Sequence, residues 1–141
     1  MYQARIDSRS TYVPVRQLSY HLRQWGEPTP GAAPLVLVHG WMDVSASWQF
    51  MVDALRTPRW IVAPDWRGYG LTASGHPPAD NFWFPDYLAD LDFLLDQVAP
   101  GQAVDLIGHS MGGNVAMMYA GVRPERIRRL INLEGFGMPE T

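Results

Sequence analysis

The chain is organised around one stretch, Val104-Asp105-Leu106-Ile107-Gly108-His109-Ser110-Met111-Gly112-Gly113. Its first four residues are apolar apart from one aspartate, and they predict a short buried strand. Residues 108–112 fit the pattern G-x-S-x-G, and an Ala- and Met-rich run of helical character follows directly. A strand, this pattern and then a helix are typical of a nucleophile elbow, the tight turn that presents a reactive serine. The sequence therefore predicts Ser110 as a nucleophile.

The residue types around Ser110 fit the geometry of such a turn. A tight reversal from strand to helix forces the serine into a strained backbone conformation at the carboxyl edge of the sheet. Gly108 and Gly112 lack a Cβ atom, so the strand and the helix can approach closely on either side. The backbone N–H of Met111 then lies at a helix N-terminus, where negative charge is favoured.

Two further motifs occur in order before the elbow. Residues 35–41 read Leu-Val-Leu-Val-His-Gly-Trp, a buried-strand pattern that ends in His-Gly. Residues 61–70 read Ile-Val-Ala-Pro-Asp-Trp-Arg-Gly-Tyr-Gly, a second strand that ends in D-x-R-G-x-G. With these three motifs in this order and spacing, nearly the whole chain resembles the α/β-hydrolase family, and most closely its lipase- and esterase-like bacterial members.

The resemblance implies roles for the residues near Ser110. The backbone amides of Trp41 and Met111 map onto the family's oxyanion hole. His39 and Gly40 belong to the oxyanion loop, which the His39 side chain is expected to brace. Asp65 and Arg67 are expected to form a structural ion pair close to the site. Contacts with substrate are assigned to Trp41, His109 and Trp83, and Asp43 is a candidate brace of the oxyanion loop.

The catalytic base is missing from the expected place. In this family the chain order is serine, acid, histidine, yet the four histidines are His21, His39, His76 and His109, all before Ser110. His39 and His76 are the alternatives as base within this chain, and His21 is expected to be exposed. The favoured explanation is that the sequence is the N-terminal half of a hydrolase. The later strands, the cap and the histidine would then lie outside it.

Glu134 is the candidate acid within the chain. It stands 24 positions after Ser110, just beyond a predicted strand. In the haloalkane dehalogenases, a branch of the same fold, the catalytic acid comes from this place. The alternative is that Glu134 is a surface or loop-bracing carboxylate.

Alternating patterns along the chain predict one α/β domain over residues 1–141. The first two strands, within residues 4–26, are expected to be antiparallel because their apolar and polar residues alternate. Later strands are expected at 34–38, 60–63, 104–107 and 129–133, and the segment 72–80 is expected to be a loop. Helices are expected at 48–55, capped by Ser45 or Ser47, and at 86–98 and 111–122. This order predicts a mostly parallel sheet with helices on both faces, incomplete at its C-terminal end.

The aspartates of the helix at 86–98 are predicted to mark its solvent face: Asp86, Asp90, Asp92 and Asp96. At the other edge of the chain's predicted sheet, the last strand is expected to be exposed. An unpaired strand edge invites a partner, so self-association through this strand is an open alternative.

Composition removes several classes of function. A net charge of −3 gives no basic footprint for nucleic acid. No apolar run approaches a membrane span, and the N-terminus has no hydrophobic leader, which makes the cytoplasm the default location. The chain has no cysteine, and no His, Asp or Glu spacing resembles a metal site. Neither a metal nor a cofactor is expected.

These observations predict a serine hydrolase that acts on carboxylic esters or related acyl compounds through an acyl-serine intermediate, weak or inactive without its histidine. Serine at the elbow separates the chain from dehalogenases and epoxide hydrolases of this fold, which use aspartate there. A non-catalytic interaction half-domain is the alternative from another class. Acyl transfer, C–C bond hydrolysis and cofactor-free peroxidation are alternatives on the same elbow, because the fold does not fix the substrate.

Overall fold

A computed structural model describes residues 1–136 and shows one six-stranded sheet in the order β1-β2-β4-β3-β5-β6. The strands are β1 (Arg9–Val15), β2 (Leu18–Trp25), β3 (Leu35–Val38), β4 (Ile61–Pro64), β5 (Val104–His109) and β6 (Ile127–Leu133). The helices are α1 (Gln49–Ala54), α2 (Gly70–Ala73), α3 (Phe84–Val98) and α4 (Met111–Val122). Short 3₁₀ turns, Ser45–Trp48 and Pro124–Arg126, precede α1 and β6.

The predicted mixed sheet is confirmed. Strands β3, β4, β5 and β6 are parallel, whereas β1 and β2 are antiparallel to each other and β2 is antiparallel to β4. Strand β3 lies at the centre, with Val36 opposite Val62 on one side and Leu106 on the other. All four residues of β3 and of β4 are buried, which explains why their sequences show no polar alternation.

Helices cover both faces of the sheet, as predicted. On one face α3 and α4 pack through Leu91, Leu94, Leu95, Val115 and Ala116. On the other face the 3₁₀ turn and α1 pack through Trp48 and Val52 against Trp25, Leu37 and Ile61. The sheet therefore separates two apolar clusters, and its carboxyl edge is left free for the loops that follow β3, β4, β5 and β6. No helix within residues 1–136 has the length and apolar character needed to cross a membrane.

Helix α1 differs from its prediction at its start. A 3₁₀ turn occupies Ser45–Trp48, and neither Ser45 nor Ser47 caps a helix with its side chain. At the start of the turn the Ser45 N–H donates to Asp65 Oδ1 at 2.7 Å, so it needs no serine cap, and the Ser47 hydroxyl donates to Asp43 instead. A carboxylate from the next strand's loop thus replaces the expected serine cap.

Several further element boundaries differ by a few residues from the prediction, and two of them have a clear cause. The predicted loop 72–80 begins inside α2, because the Asp65 carboxylate accepts the Leu71 N–H at 2.9 Å and organises one helical turn. Strand β6 begins at Ile127, two residues before the predicted 129. The 3₁₀ turn Pro124–Arg126 lies directly before it and brings the chain to the edge of the sheet earlier than expected.

Asp90 corrects the predicted solvent face of α3. Its side chain is fully buried, and Arg67 donates to both of its oxygens, from Nε at 2.6 Å and from Nη2 at 2.7 Å. The Tyr20 hydroxyl donates to the same carboxylate at 2.8 Å. A buried charge is tolerated only when it is paired and hydrogen-bonded, and these partners come from the loop after β4 and from β2, which are distant from α3 in sequence.

Close approach of backbones fixes the elbow region. A Cβ atom on Gly108 would lie 2.4 Å from the Gly112 carbonyl oxygen, and a Cβ atom on Gly112 would lie 2.3 Å from the Val38 carbonyl oxygen. Real Cβ atoms do not come this close to backbone atoms. Only glycine therefore lets α4 start directly over the ends of β3 and β5.

Gly112→Ala is expected to lower the free energy of unfolding by about 2 kcal/mol or more, because the clash is with backbone that no rotamer change relieves. Gly121→Ala is the matched control on the same helix, since its Cβ would meet nothing within 4 Å. That control should stabilise the chain by about 0.5–1 kcal/mol. Urea denaturation followed by circular dichroism measures both, and equal effects would contradict the packing argument.

Candidate active site

Ser110 sits between β5 and α4 with a positive φ of 52° and a ψ of −117°. Its N–H donates to the Leu133 carbonyl at 2.9 Å, and its carbonyl accepts the Asn114 N–H at 3.0 Å. A positive φ is strained for a residue with a side chain and persists only where the surroundings enforce it. The backbone bonds to β6 and α4 hold Ser110 at the carboxyl edge of the sheet.

The loop after β3 lies against the elbow. A Cβ atom on Gly40 would be 3.1 Å from both the Ser110 Cβ and the His109 Nδ1. Trp41 follows Gly40, with its side chain 69% exposed. Met111 is the first residue of α4, and N–H groups in the first turn of a helix have no partner within it. The structure thus brings the two segments that carry the predicted oxyanion amides beside Ser110.

His39 is buried and ties the oxyanion loop to the loop after β4. Its Nδ1 lies 2.7 Å from the Gly40 carbonyl oxygen, and its Nε2 accepts the Trp66 N–H at 3.0 Å. The Trp66 indole N–H donates to the His39 carbonyl at 2.9 Å. Because Nε2 accepts a hydrogen bond, Nδ1 carries the proton of the neutral ring. Burial lowers the pKa of His39, opposed in part by the Gly40 carbonyl.

The predicted ion pair between Asp65 and Arg67 was wrong. Asp65 accepts hydrogen bonds from His21 Nδ1 at 2.8 Å and from the N–H groups of Ser45 and Leu71 at 2.7 and 2.9 Å. Burial alone would raise the pKa of Asp65, but these bonds outweigh it and hold the pKa well below its usual range. Arg67 points the other way, to Asp90. Asp65 and Arg67 lie two positions apart in the sequence, but the sequence does not show that each has a different buried partner.

Within residues 1–136 no histidine is hydrogen-bonded to the Ser110 hydroxyl. His21, which was expected to be exposed, is fully buried and bonded to Asp65. His39 is occupied as described above. His76 lies exposed in the loop before α3, and His109, the residue before Ser110, is half-buried.

Glu134 follows the last residue of β6 and shares the carboxyl edge with Ser110. In the register of β5 and β6, Leu133 is the partner of His109, so Glu134 and Ser110 leave neighbouring strands at the same level. Glu134 is exposed and has a positive φ of 58°. The structure places this residue at the same edge of the sheet as Ser110, and its role as the acid stays a prediction.

Asn132 was missed by the sequence reasoning. Its Oδ1 accepts the Gly135 N–H at 2.7 Å, and its Nδ2 donates to the Gly135 carbonyl at 2.7 Å. A Cβ atom on Gly113 or on Gly135 would lie 2.3 Å from the same Oδ1. The amide therefore packs between α4 and the turn that holds Glu134. The only signals in the sequence were Gly135, directly after Glu134, and Gly113, directly after the elbow.

Apolar and bracing side chains surround the same edge. Trp83, which precedes α3, is 74% exposed, and Met42, beside Trp41, has a positive φ of 57°. Asp43 Oδ1 accepts the Val44 N–H at 2.8 Å and the Ser47 hydroxyl, so its side chain does brace the loop. Among the described residues no cluster of three His, Cys, Asp or Glu side chains has the arrangement of a metal site.

Comparison with known proteins identifies the family. The family model described as alpha/beta hydrolase fold matches residues 33–141. The chain belongs to the α/β-hydrolase family. A serine hydrolase-like protein of Danio rerio is 36% identical over 118 residues, which are 83% of this chain and 35% of that protein. An sn-1-specific diacylglycerol lipase of Xenopus tropicalis is 34% identical over 122 residues, 85% of this chain and 36% of that protein.

A solved structure agrees. The crystal structure of epoxide hydrolase VrEH1 from Vigna radiata superimposes with a TM-score of 0.78 at 28% identity, covering 96% of this chain and 40% of that one. This α/β-hydrolase chain therefore spans about a third of the length of the curated relatives described here. The names of these relatives cover more than one kind of reaction, so family membership establishes the fold but not the reaction or the substrate.

Acidification is expected to destabilise the fold through His39. Because its pKa lies below the ordinary 6.5 in the folded chain, the unfolded chain binds the proton more readily. The contribution to stability is complete above about pH 6.5 and is lost as the pH falls towards the folded-state pKa. Denaturation midpoints measured from pH 7.5 downwards should therefore fall in the wild type and fall less in His39→Gln. His76→Gln, on an exposed loop, should keep the wild-type slope; an unchanged slope in His39→Gln would refute this assignment.

Proposed function

We propose that Ser110 is the nucleophile of a serine hydrolase that acts on carboxylic esters or related acyl compounds. The observation that carries this proposal is the strained Ser110, held at the edge of the sheet between the Gly40 loop and the first residue of α4. Family membership and hydrolase relatives support the general class. Serine rather than aspartate at the elbow favours an acyl-enzyme route.

In this mechanism Ser110 Oγ attacks the carbonyl carbon of the substrate, and the N–H groups of Trp41 and Met111 stabilise the oxyanion. Each such donor is worth about 3 kcal/mol of activation free energy where it has been removed by mutation. Collapse of the tetrahedral intermediate expels the alcohol and leaves an acyl ester on Ser110, which water then hydrolyses. The route uses no cofactor.

A serine hydroxyl needs a general base. None of the histidines within residues 1–136 is hydrogen-bonded to Ser110, so the proposal requires a further histidine as the base. Glu134, one residue past β6, is the proposed acid that would orient and stabilise that histidine. Its position at the level of Ser110 on the neighbouring strand supports this role.

The substrate is proposed to present an apolar acyl group. Four large apolar side chains lie exposed on the loops after β3 and before α3: Trp41, Met42, Phe82 and Trp83. The half-buried His109 lies beneath Gly40 and is proposed to shape the floor of the same site. Hydrolysis of a C–C bond or acyl transfer would use the same nucleophile and oxyanion amides, and the substrate tested in turnover assays separates these reactions.

Covalent labelling tests the nucleophile. A fluorophosphonate should form an adduct on Ser110, located by tandem mass spectrometry, and added imidazole should accelerate it by supplying a base. Ser110→Ala should remove the adduct at this position, whereas Ser74→Ala, an exposed serine after α2, should leave its rate unchanged. Absence of labelling at Ser110 in the presence of imidazole, with the fold intact, would sink the proposal.

Strand β6 supports a second candidate function, as an interaction half-domain. Within the described residues β6 is the edge strand of the parallel part of the sheet, and Leu130, Ile131 and Leu133 on it are exposed. An apolar strand at a sheet edge pairs readily with another chain. This candidate requires no reaction at Ser110.

Sedimentation velocity tests the second candidate. If β6 is an interaction surface, the chain should dimerise with increasing concentration, and Ile131→Lys should shift it to monomer. Leu71→Lys places the same charge at an exposed residue of α2 and should leave the dimer intact. A wild-type chain that stays monomeric at all concentrations rules this candidate out.

A further inference from the structure

A second serine, histidine and aspartate are hydrogen-bonded in series outside the elbow. His21 Nδ1 lies 2.8 Å from Asp65 Oδ2, and His21 Nε2 lies 2.9 Å from Ser10 Oγ. The aspartate contacts one ring nitrogen and the serine contacts the other, which is the connectivity of a hydrolytic triad. The three residues come from β1, β2 and the loop after β4, and Ser110 is not among them.

The protonation of this series is fixed by its buried end. Asp65 is held ionised by His21 and two backbone N–H groups, as described above. An ionised carboxylate only accepts hydrogen bonds, so in the neutral imidazole Nδ1 is the donor and Nε2 is left as an acceptor. The Ser10 hydroxyl therefore donates to Nε2, the arrangement in which a histidine can take the proton of an attacking serine.

The two ends of the series differ in exposure. His21 and Asp65 are buried, at 0% and 2% exposure, whereas Ser10 is exposed on β1, which is an edge strand of the sheet. The Tyr12 ring, 53% exposed, lies over the imidazole with the ring centroids 5.3 Å apart. An aromatic group on a reagent that approaches Ser10 would meet this ring.

Arg23 supplies a cation next to Ser10. The two residues are direct partners in the β1–β2 ladder, so their side chains lie on the same face of the sheet. Arg23 Nη1 donates to Ser8 Oγ at 3.0 Å, while its buried Nε makes no hydrogen bond within residues 1–136. The guanidinium therefore places a positive charge beside Ser10, and such a charge favours an oxyanion that develops there.

We propose that Ser10 is a second nucleophile, with His21 as its base, Asp65 as the orienting carboxylate and Arg23 as the anion-stabilising group, and that it accepts acyl groups from activated aryl esters. Ser10 Oγ bonds to the carbonyl carbon and its proton passes to His21 Nε2. The bond from carbon to the aryl oxygen breaks, the phenolate leaves, and the proton returns to solvent. The product is an acyl ester on Ser10, and the site is independent of the function proposed for Ser110.

The composition of the chain limits the number of groups that compete with Ser10 for acylation. All 11 basic residues counted as Lys+Arg are arginine, and there is no cysteine, so the α-amino group is the only amine that competes for acylation. Trypsin cuts after Arg9 and Arg16 and releases residues 10–16, in which Ser10, Thr11 and Tyr12 carry the hydroxyl groups. Ser19 falls on the next peptide, 17–23, and serves as the internal control from the same hairpin.

The experiment treats the Ser110→Ala chain with p-nitrophenyl acetate and follows each tryptic peptide by tandem mass spectrometry. We expect an acetyl ester on Ser10 that forms at least about tenfold faster than on Ser19, since general base catalysis contributes 10² or more. Ser10→Ala should remove it. Arg23→Gln should slow it about tenfold while circular dichroism shows an intact fold.

Two results would overturn the proposal. One is acetylation of Ser10 no faster than of Ser19 in the folded Ser110→Ala chain. The other is a rate at Ser10 that does not change in Arg23→Gln. Because Ser110 is absent from the experiment, its outcome says nothing about the nucleophile at the elbow, and failure of either proposal leaves the other standing.

Discussion

The site depends on one steric constraint, the contact between the backbone of α4 and the backbone at the end of β3. Gly112 lies so close to the Val38 and His39 carbonyl oxygens that no side chain fits. Since the atoms involved are backbone, neither side can move without disturbing the sheet. The helix begins directly after Ser110, and the chain makes that turn with a positive φ at Ser110. Gly113 and Gly135 extend the same contact, around the Asn132 amide, to the turn at Glu134.

A single buried carboxylate, that of Asp65, holds together the other segments at the carboxyl edge of the sheet. Asp65 joins β2 through His21, the 3₁₀ turn through the Ser45 N–H and α2 through the Leu71 N–H. Gly70, with a positive φ of 49°, leaves room for the loop to wrap around it, because a Cβ atom there would lie 2.3 Å from Asp65 Oδ2. The two charged residues of the D-x-R-G-x-G motif thus have separate structural roles. Its aspartate holds the loops together, and its arginine anchors α3 through Asp90.

Local patterns were sufficient for the sheet and the elbow. Uninterrupted apolar runs identified β3, β4 and β5 because strands covered on both faces need no polar alternation. The glycines around Ser110 identified the turn because only they permit its backbone. Each of these features is decided within about ten residues, so a single sequence carries the full information.

Local sequence patterns did not predict the partners of the buried polar groups. Asp90 pairs with a residue 23 positions away and His21 with one 44 positions away, and neither spacing has a local signature. A helix aspartate and a strand histidine read as exposed unless the partner is known, because burial of a charge or a polar ring is favourable only once that partner is in place. The same reason explains why Ser45 was taken for a cap: its N–H is satisfied by Asp65, which comes from another loop.

Backbone strain is concentrated where the site is. Of the four residues other than glycine with positive φ among residues 1–136, Met42, Ser110 and Glu134 follow the ends of β3, β5 and β6, while Arg16 lies in the hairpin turn between β1 and β2. Strained conformations cost about 1–3 kcal/mol each and persist only when the surrounding structure enforces them. Here the enforcing contacts are the glycine-mediated approach at the elbow, the Asn132 amide and the His39 bridge to Trp66. The rigid sheet therefore holds the backbone of the loop after β3, of Ser110 and of the turn at Glu134 in place.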